Sequence, residues 1–270
     1  MIRSMYSGIS GMVNHQTRMD VVSNNIANVN TTGFKAGRAS FKDALYMAVD
    51  ASGEEKGSFQ VGTGIGVSGI SNDFSQGDLE PTGRTFDLAI SGRGFFGVVG
   101  DDESGDGQVK YTRDGTFSLD SEGFLVNSMG MRVVGVDNED GIEIDTEYQD
   151  DIQIDENGTI FQFERDDDGN ITSDPEEMGQ VALFDFQNAS GLTKAGNNLF
   201  LENNTTGERF TTEDDSDRFG TINSGYIEMA NINLAKELTN LITTHRGYQA
   251  NTKVFSTADD VLREIIELKR

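Results

Sequence analysis

Cysteine is absent from the 270-residue chain. That excludes disulfides and thiolate metal sites alike. Proline is nearly absent, with 2 residues, and histidine occurs only at His15 and His245. Positive charge is scarce: 21 Lys and Arg stand against 46 Asp and Glu, a net charge of −25. Such a chain is repelled by nucleic-acid phosphates and anionic membrane surfaces, so neither is expected as a partner. Long apolar runs are missing too, so membrane insertion as a helix is not expected. The opening MIRSMYSGISGM holds one charge and no apolar stretch of signal-peptide length, and a helical pattern already starts at Ile2. A chain of this kind that leaves the cytoplasm does so without a cleaved signal of the usual type.

What is present is glycine, 32 residues of it, in a chain that is only 35% apolar. The composition is that of a soluble protein with many turns. The charge is unevenly spread: with residues 1–50 at +2 and residues 226–270 at zero, residues 51–225 carry −27. The two ends are chemically a pair, and the middle is something else.

The N-terminal end shows heptad spacing. Ile2, Ile9 and Gln16 fall on one row, and Met5, Met12, Met19 and Ile26 on the next. By itself this segment fits a core helix or a coiled-coil seam. At the other end Leu234, Leu241, Tyr248, Phe255 and Leu262 recur at an unbroken interval of seven, with Leu238, Ala258 and Ile265 as a second row. Asn231 or Asn233 can cap its start. About 36 residues of this pattern make a helix about 50 Å long at roughly 1.5 Å per residue. The economical reading pairs the two ends with each other and with copies of themselves.

One stretch, DVVSNNIANVNTTGFK, sets a puzzle. It holds Asn24, Asn25, Asn28 and Asn30 within seven residues, yet Val22, Ile26 and Val29 keep helical spacing through it. Asparagine is a poor helix former, because its amide competes for nearby backbone groups. The bland reading leaves them exposed, although each amide can both donate and accept a hydrogen bond. Gly33 is read as the left-handed turn that ends the helix.

In the middle the apolar period becomes two, at Phe86-Leu88-Ile90, Val109-Tyr111, Ile142-Ile144, Ile152-Ile154 and Phe161-Phe163. Turn pairs punctuate it, among them Asp114-Gly115, Glu122-Gly123, Asn157-Gly158 and Asp168-Gly169. The expected fold is α+β. Long N- and C-terminal α-helices pair as a coiled-coil-like helical domain, and a mainly antiparallel β domain lies between them. The expected divisions are an N-terminal helix over 1–33, an extended Gly-rich connector over 34–70, a β domain over 71–220 and a C-terminal helix over 221–270.

Motifs for chemistry are weak. Gly64–Gly69 and Gly92–Gly97 both match G-x-G-x-x-G, but neither precedes a helical pattern, as a dinucleotide site requires. The run Glu164–Gly169 resembles the start of a calcium loop, but its twelfth position is Pro175 where a bidentate Glu is needed. Neither His lies in the β domain, where a pocket would form. No catalytic, cofactor or metal residues are expected.

The ends carry a family resemblance. MYSGISGM, then MDVVSNNIANVNTTGFKAGRASFKD, and at the C-terminus SGYIEMANINLAKELTNLITTHRGYQANTKVFSTADDVLREIIELKR resemble the flagellar axial proteins, the rod and hook family. The Asn24–Lys35 core is the most specific part of the match. GRTFDLAISGRGFFGVV and YTRDGTFSLDSEGFLV look like the family's shared core strands, and GQVALFDFQNASGLTKAGNNLF resembles the stretch near that domain's end. The resemblance implies a non-enzymatic, cofactor-free subunit of the bacterial flagellum that self-assembles into a torque-transmitting helical tube. Its implied partners are itself, neighbouring axial and junction proteins, the flagellar type III export apparatus and the hook cap. The implied assembly interface comprises Ile2, Met5, Ile9, Met12, Met19, Asn24, Asn25, Ile26, Asn28, Gly33, Phe34, Leu234, Leu238, Leu241, Tyr248, Phe255, Leu262 and Ile265. The linker VSGISNDFSQGDLEPTGRTFDLAIS has a hook-like look, so a short hook protein is favoured. A distal rod protein is the alternative, because the chain has room for one β domain. A calcium-dependent binding module whose helices merely dimerise is a reading of a different class, and calcium titration separates it.

Overall fold

The computed structural model describes residues 2–49, 59–100, 108–136, 138, 141–144, 152–163, 175–212 and 218–268. The chain forms two compact units, one of Met1–Asn28, Ala36–Asp73 and Ile232–Arg270, the other of Val29–Lys35 and Phe74–Asn231. The fold is α+β, with a helix at each end and β-structure between.

The first unit holds both helices, α1 (Ile2–Ala27) and α2 (Leu234–Leu268). The second of these is 35 residues long. Asn233 caps it: its Oδ1 accepts the Lys236 N–H at 3.0 Å, satisfying one of the first-turn donors that a helix leaves unpaired. The segment expected as an extended connector is folded where it is described. Strands β1 (Gly37–Asp43), β2 (Tyr46–Val49), β3 (Phe59–Gly62) and β4 (Ile65–Asn72) pair antiparallel, β1 with β4 and β2 with β3, as a two-stranded ribbon. A bulge at Ser40/Phe41 shifts the register. The glycines of this segment suggest breaks in sequence, but a ribbon with one face open to solvent tolerates residues without side chains to pack.

The second unit begins with β5 (Leu79–Pro81), β6 (Leu88–Ser91), β7 (Phe95–Val99) and β8 (Lys110–Thr112). The short strands β9 (Ser118–Leu119), β10 (Leu125–Val126) and β11 (Arg132–Val133) follow. Next come β12 (Ile152–Ile154), β13 (Thr159–Gln162), β14 (Glu176–Gln180) and β15 (Leu183–Phe186). The last are β16 (Thr193–Gly196), β17 (Leu199–Leu201), β18 (Arg209–Thr211), β19 (Thr221–Ser224) and β20 (Tyr226–Glu228). Nine of them form one antiparallel sheet built around β7, which pairs with β8, β11 and β15.

Alternation along β7 explains the core. Phe95 and Phe96 point to opposite faces, as successive strand residues must. Phe96 joins Leu88, Ile90, Val98 and Val133 in one cluster; Phe95 joins Tyr111, Phe186 and Phe200 in the other. Edge-to-face rings recur in both, as at Phe96–Phe117 (5.3 Å) and Tyr111–Phe186 (4.8 Å), the geometry that ring quadrupoles favour. Burial raises the Tyr111 phenol above its usual range.

One phase reading is corrected. On β13 the inward residues are Ile160 and Gln162, both buried, while Phe161 and Phe163 are half-buried. A bulge at Ile160/Phe161 opposite β14 is the local irregularity there. The calcium-like run, the Asp168-Gly169 turn and residues 51–58 of the expected connector lie outside the described residues.

Candidate assembly surface

Each terminal helix has a covered face and an open one. On α2, Leu241, Tyr248, Phe255 and Leu262 are half-buried, while Leu234 at the start of their row is exposed. Of the expected second row, Ala258 is buried while Leu238 and Ile265 are exposed, at 43% and 46%; Glu237, Thr244 and Asn251 are the covered residues in line with Ala258. The reason is close approach. A Cβ on Gly11 of α1 would lie 2.7 Å from the Asn251 side chain, and one on Gly247 would lie 2.8 Å from the His15 ring. At both points the missing Cβ makes room for the side chain opposite, Asn251 or His15.

The same holds on α1, where Gly8, Gly11, Asn14, Val22 and Asn25 are buried. Met5, Met12, Met19 and Ile26 flank that face half-buried, and Ile9 is exposed. Ile2 lies in the helix, and its side chain is outside the described residues. Burial lowers the His15 imidazole below its usual pKa, and Arg18 adds to the effect.

The structure gives Asn25 a bonding partner within its own chain. Asn25 is buried and faces its own chain. Its Nδ2 donates to the Gly37 carbonyl at 2.9 Å, and the Gly37 N–H donates back to Oδ1 at 2.9 Å. Asn14 sits eleven residues earlier, about three turns away and so on the same face. Its Nδ2 donates to the Ile65 carbonyl at 2.9 Å. The two amides tie α1 to β1 and β4. Asn28 donates to the Asn24 carbonyl at 2.9 Å, and the Asn24 side chain is exposed.

Gly33 does not end the helix, which stops at Ala27. Its φ of +65° serves the second unit, where a Cβ would collide with the Asp114 backbone and its N–H donates to the Glu228 carbonyl at 2.7 Å. Phe34 is buried beneath the Lys194 ammonium, 4.6 Å from the ring centroid. Burial lowers the Lys194 pKa.

Sequence reasoning missed two features. The first is a buried charge cluster in the second unit. Glu228 accepts Lys35 Nζ at 2.6 Å and the Gly77 N–H at 2.8 Å on Oε1, and Arg113 Nη1 at 3.2 Å on Oε2. Burial pulls the Arg113 pKa down, while the Glu228 carboxylate holds it up. The second is apolar exposure on the ribbon of the first unit, where Leu45 is 84% exposed beside Tyr46, Met47 and Val61. Open apolar residues also run along α1 at Tyr6 and Val13 and along α2 at Ile242, Val254 and Ile266. No helix among the described residues is long and apolar enough to cross a membrane. A groove of ≈ 530 Å³ lies among Met19, Leu241, Ile242, His245, Arg246 and Gln249. Its lining is mixed, and nothing in it forms a catalytic arrangement of nucleophile, base and orienting group.

Residues 5–35 match the family described as "Flagella basal body rod protein", 89–162 the "Flagellar hook protein FlgE/F/G D1 domain", and 223–268 the "Flagellar basal body rod FlgEFG protein C-terminal". The flagellar basal-body rod protein FlgG of Bacillus subtilis strain 168 is 39% identical to the chain over all of both. The chain belongs to the flagellar rod and hook family. FlgG of Buchnera aphidicola subsp. Acyrthosiphon pisum is 34% identical over 99% of the chain and all of that protein. The flagellar hook protein FlgE of Borreliella burgdorferi is 26% identical, in an alignment stretched to 453 positions.

As a member of the family, the chain is an axial structural subunit of the flagellum, which polymerises with other flagellar components, and it is not an enzyme. The favoured hook reading is corrected in part. These comparisons back the distal-rod alternative better, because the rod proteins align end to end without large insertions.

Proposed function

We propose that the chain is a subunit of the distal rod of the flagellar basal body. The observation that carries this is the full-length match to FlgG rod proteins, against a hook relative that aligns only across 453 positions. The hook-like look of the linker over residues 67–91 weighs less than agreement along the whole chain.

In this reading α1 and α2 form the coiled-coil-like axial part. Their open apolar positions, with those of the ribbon, pack against copies of the same chain and against neighbouring axial and junction proteins. The division into terminal helices and a central β domain then separates an inner wall from an outer one, and the −27 of residues 51–225 suits the hydrated outer surface. The chain is exported unfolded by the flagellar type III apparatus. A hook-cap partner goes with the hook reading instead. Electron microscopy of a strain lacking this chain tests the assignment. Truncated rods are expected, and complete rods without hooks would overturn it in favour of the hook.

A further inference from the structure

We propose that Glu228 is a late-closing latch of the β unit. Its side chain is wholly buried, as are, within a few per cent, those of Lys35 and Arg113. Four segments distant in sequence meet there. Lys35 Nζ also donates to the Ser75 carbonyl at 2.9 Å, and Arg113 Nη2 to the Gly92 carbonyl at 2.8 Å. Gly33 donates to the Glu228 carbonyl, Met229 to the Asp78 carbonyl and Asn231 to the Phe34 carbonyl.

The charges set the order of closure. Without the Glu228 carboxylate, Lys35 would lose its 2.6 Å ion pair and Arg113 its 3.2 Å one, and burying ions short of counter-charge is strongly unfavourable. Residues 29–35 and 74–78 therefore cannot settle until β20 arrives. Lys35 and Glu228 are 193 positions apart, so their meeting also closes a very long loop. The sheet around β7 needs neither residue and can form first. For a chain delivered lengthwise, from either end, the unit stays open until nearly all of it has emerged. This holds whether the chain serves in rod or hook.

The test is refolding of the full chain followed by pulsed hydrogen exchange. The Gly33 amide reports the latch, and the Val134 amide, which donates to the Gly97 carbonyl at 2.9 Å, reports the sheet. In wild type, Val134 is expected to gain protection first and Gly33 in a slower phase. Glu228→Gln keeps the shape and removes the charge. It should raise the unfolding rate roughly a hundredfold and leave the refolding rate of Val134 within about twofold, as a contact formed late does. Simultaneous protection of both amides in wild type would overturn the proposal, as would slowed Val134 refolding in Glu228→Gln. If Glu228→Gln does not fold, the combined variant Lys35→Met, Arg113→Met, Glu228→Leu supplies the answer, because apolar replacements of a buried ion cluster retain stability. There the delay between Val134 and Gly33 should shrink to less than about half, since no charge remains to be matched. An unchanged delay means that charge does not gate closure.

Discussion

Asn25 and Gly37 exchange two hydrogen bonds, amide to carbonyl and N–H to amide oxygen, each 2.9 Å long. The pair joins α1 to β1 across a chain reversal. It imitates the reciprocal pairing of two strand residues, with a side chain standing in for one backbone. Leucine at position 25 would help an isolated helix by a few tenths of a kcal/mol. It would also leave the Gly37 N–H and C=O without partners, at about 1–3 kcal/mol for each buried group. Asn25→Leu is therefore expected to destabilise the first unit within the monomer. Hydrogen exchange of the Gly37 amide in dilute protein checks this. Unchanged protection would contradict it.

That pairing marks where sequence stops being informative. Heptad rows predict both helices, and the period-two runs predict the β-structure between them, because these patterns are local. The covered face of α2 was half legible: Leu241, Tyr248, Phe255, Leu262 and Ala258 stand on it, but Thr244 and Asn251 do so without an apolar signal, Asn251 fitting against Gly11 of α1. Asn25 was legible as unusual, not as a tie to Gly37. The Lys35–Glu228–Arg113 cluster left no local signal, since a buried ion triplet is defined only by residues that fold together. The ribbon of β1–β4 was hidden by glycines that read as breaks.

His15 supplies a pH dependence. Burial, with Arg18, lowers its pKa below 6.5 in the folded chain. Its Nδ1 is buried with no hydrogen-bond partner among the described residues, and its ring rests against Gly247 and edge-on to Phe41 at 6.4 Å. Between the folded and unfolded values the unfolded state binds the extra proton, so stability rises with pH. The contribution is complete above the unfolded value. It is lost as pH falls from about 6.5 toward the lower folded value. Helicity of the first unit should decline over that window, as followed by circular dichroism, and His15→Gln should flatten the decline. An equally steep decline in the variant would assign the effect to other groups.

Leu45 tests the ribbon as an assembly surface. At 84% exposure it contributes little to the monomer, so Leu45→Glu should change monomer stability by less than about 0.5 kcal/mol. If the ribbon packs against another copy, the new carboxylate must be buried there unpaired, which costs more than it would in solvent. The protein left in solution at equilibrium with polymer should then rise at least tenfold. An equal critical concentration for variant and wild type would leave the ribbon outside the interface.

Leu241 tests the helices. It is half-buried in the first unit and lines the groove with Met19 and Ile242. Leu241→Asp places a carboxylate where the proposed polymer has an apolar seam, at a cost of several kcal/mol in each subunit. A loss of this size per contact raises the critical concentration by roughly a hundredfold or more, since about 1.4 kcal/mol is a factor of ten. The second unit has its own two apolar clusters, built from Phe96 and its neighbours and from Phe95 and its neighbours. Its thermal transition is therefore expected to move by no more than a few degrees. Scanning calorimetry of the monomer beside sedimentation of polymer separates the two effects. Normal polymer would remove Leu241 from the interface, whereas loss of the second unit's transition would mean that the substitution acts on folding rather than assembly.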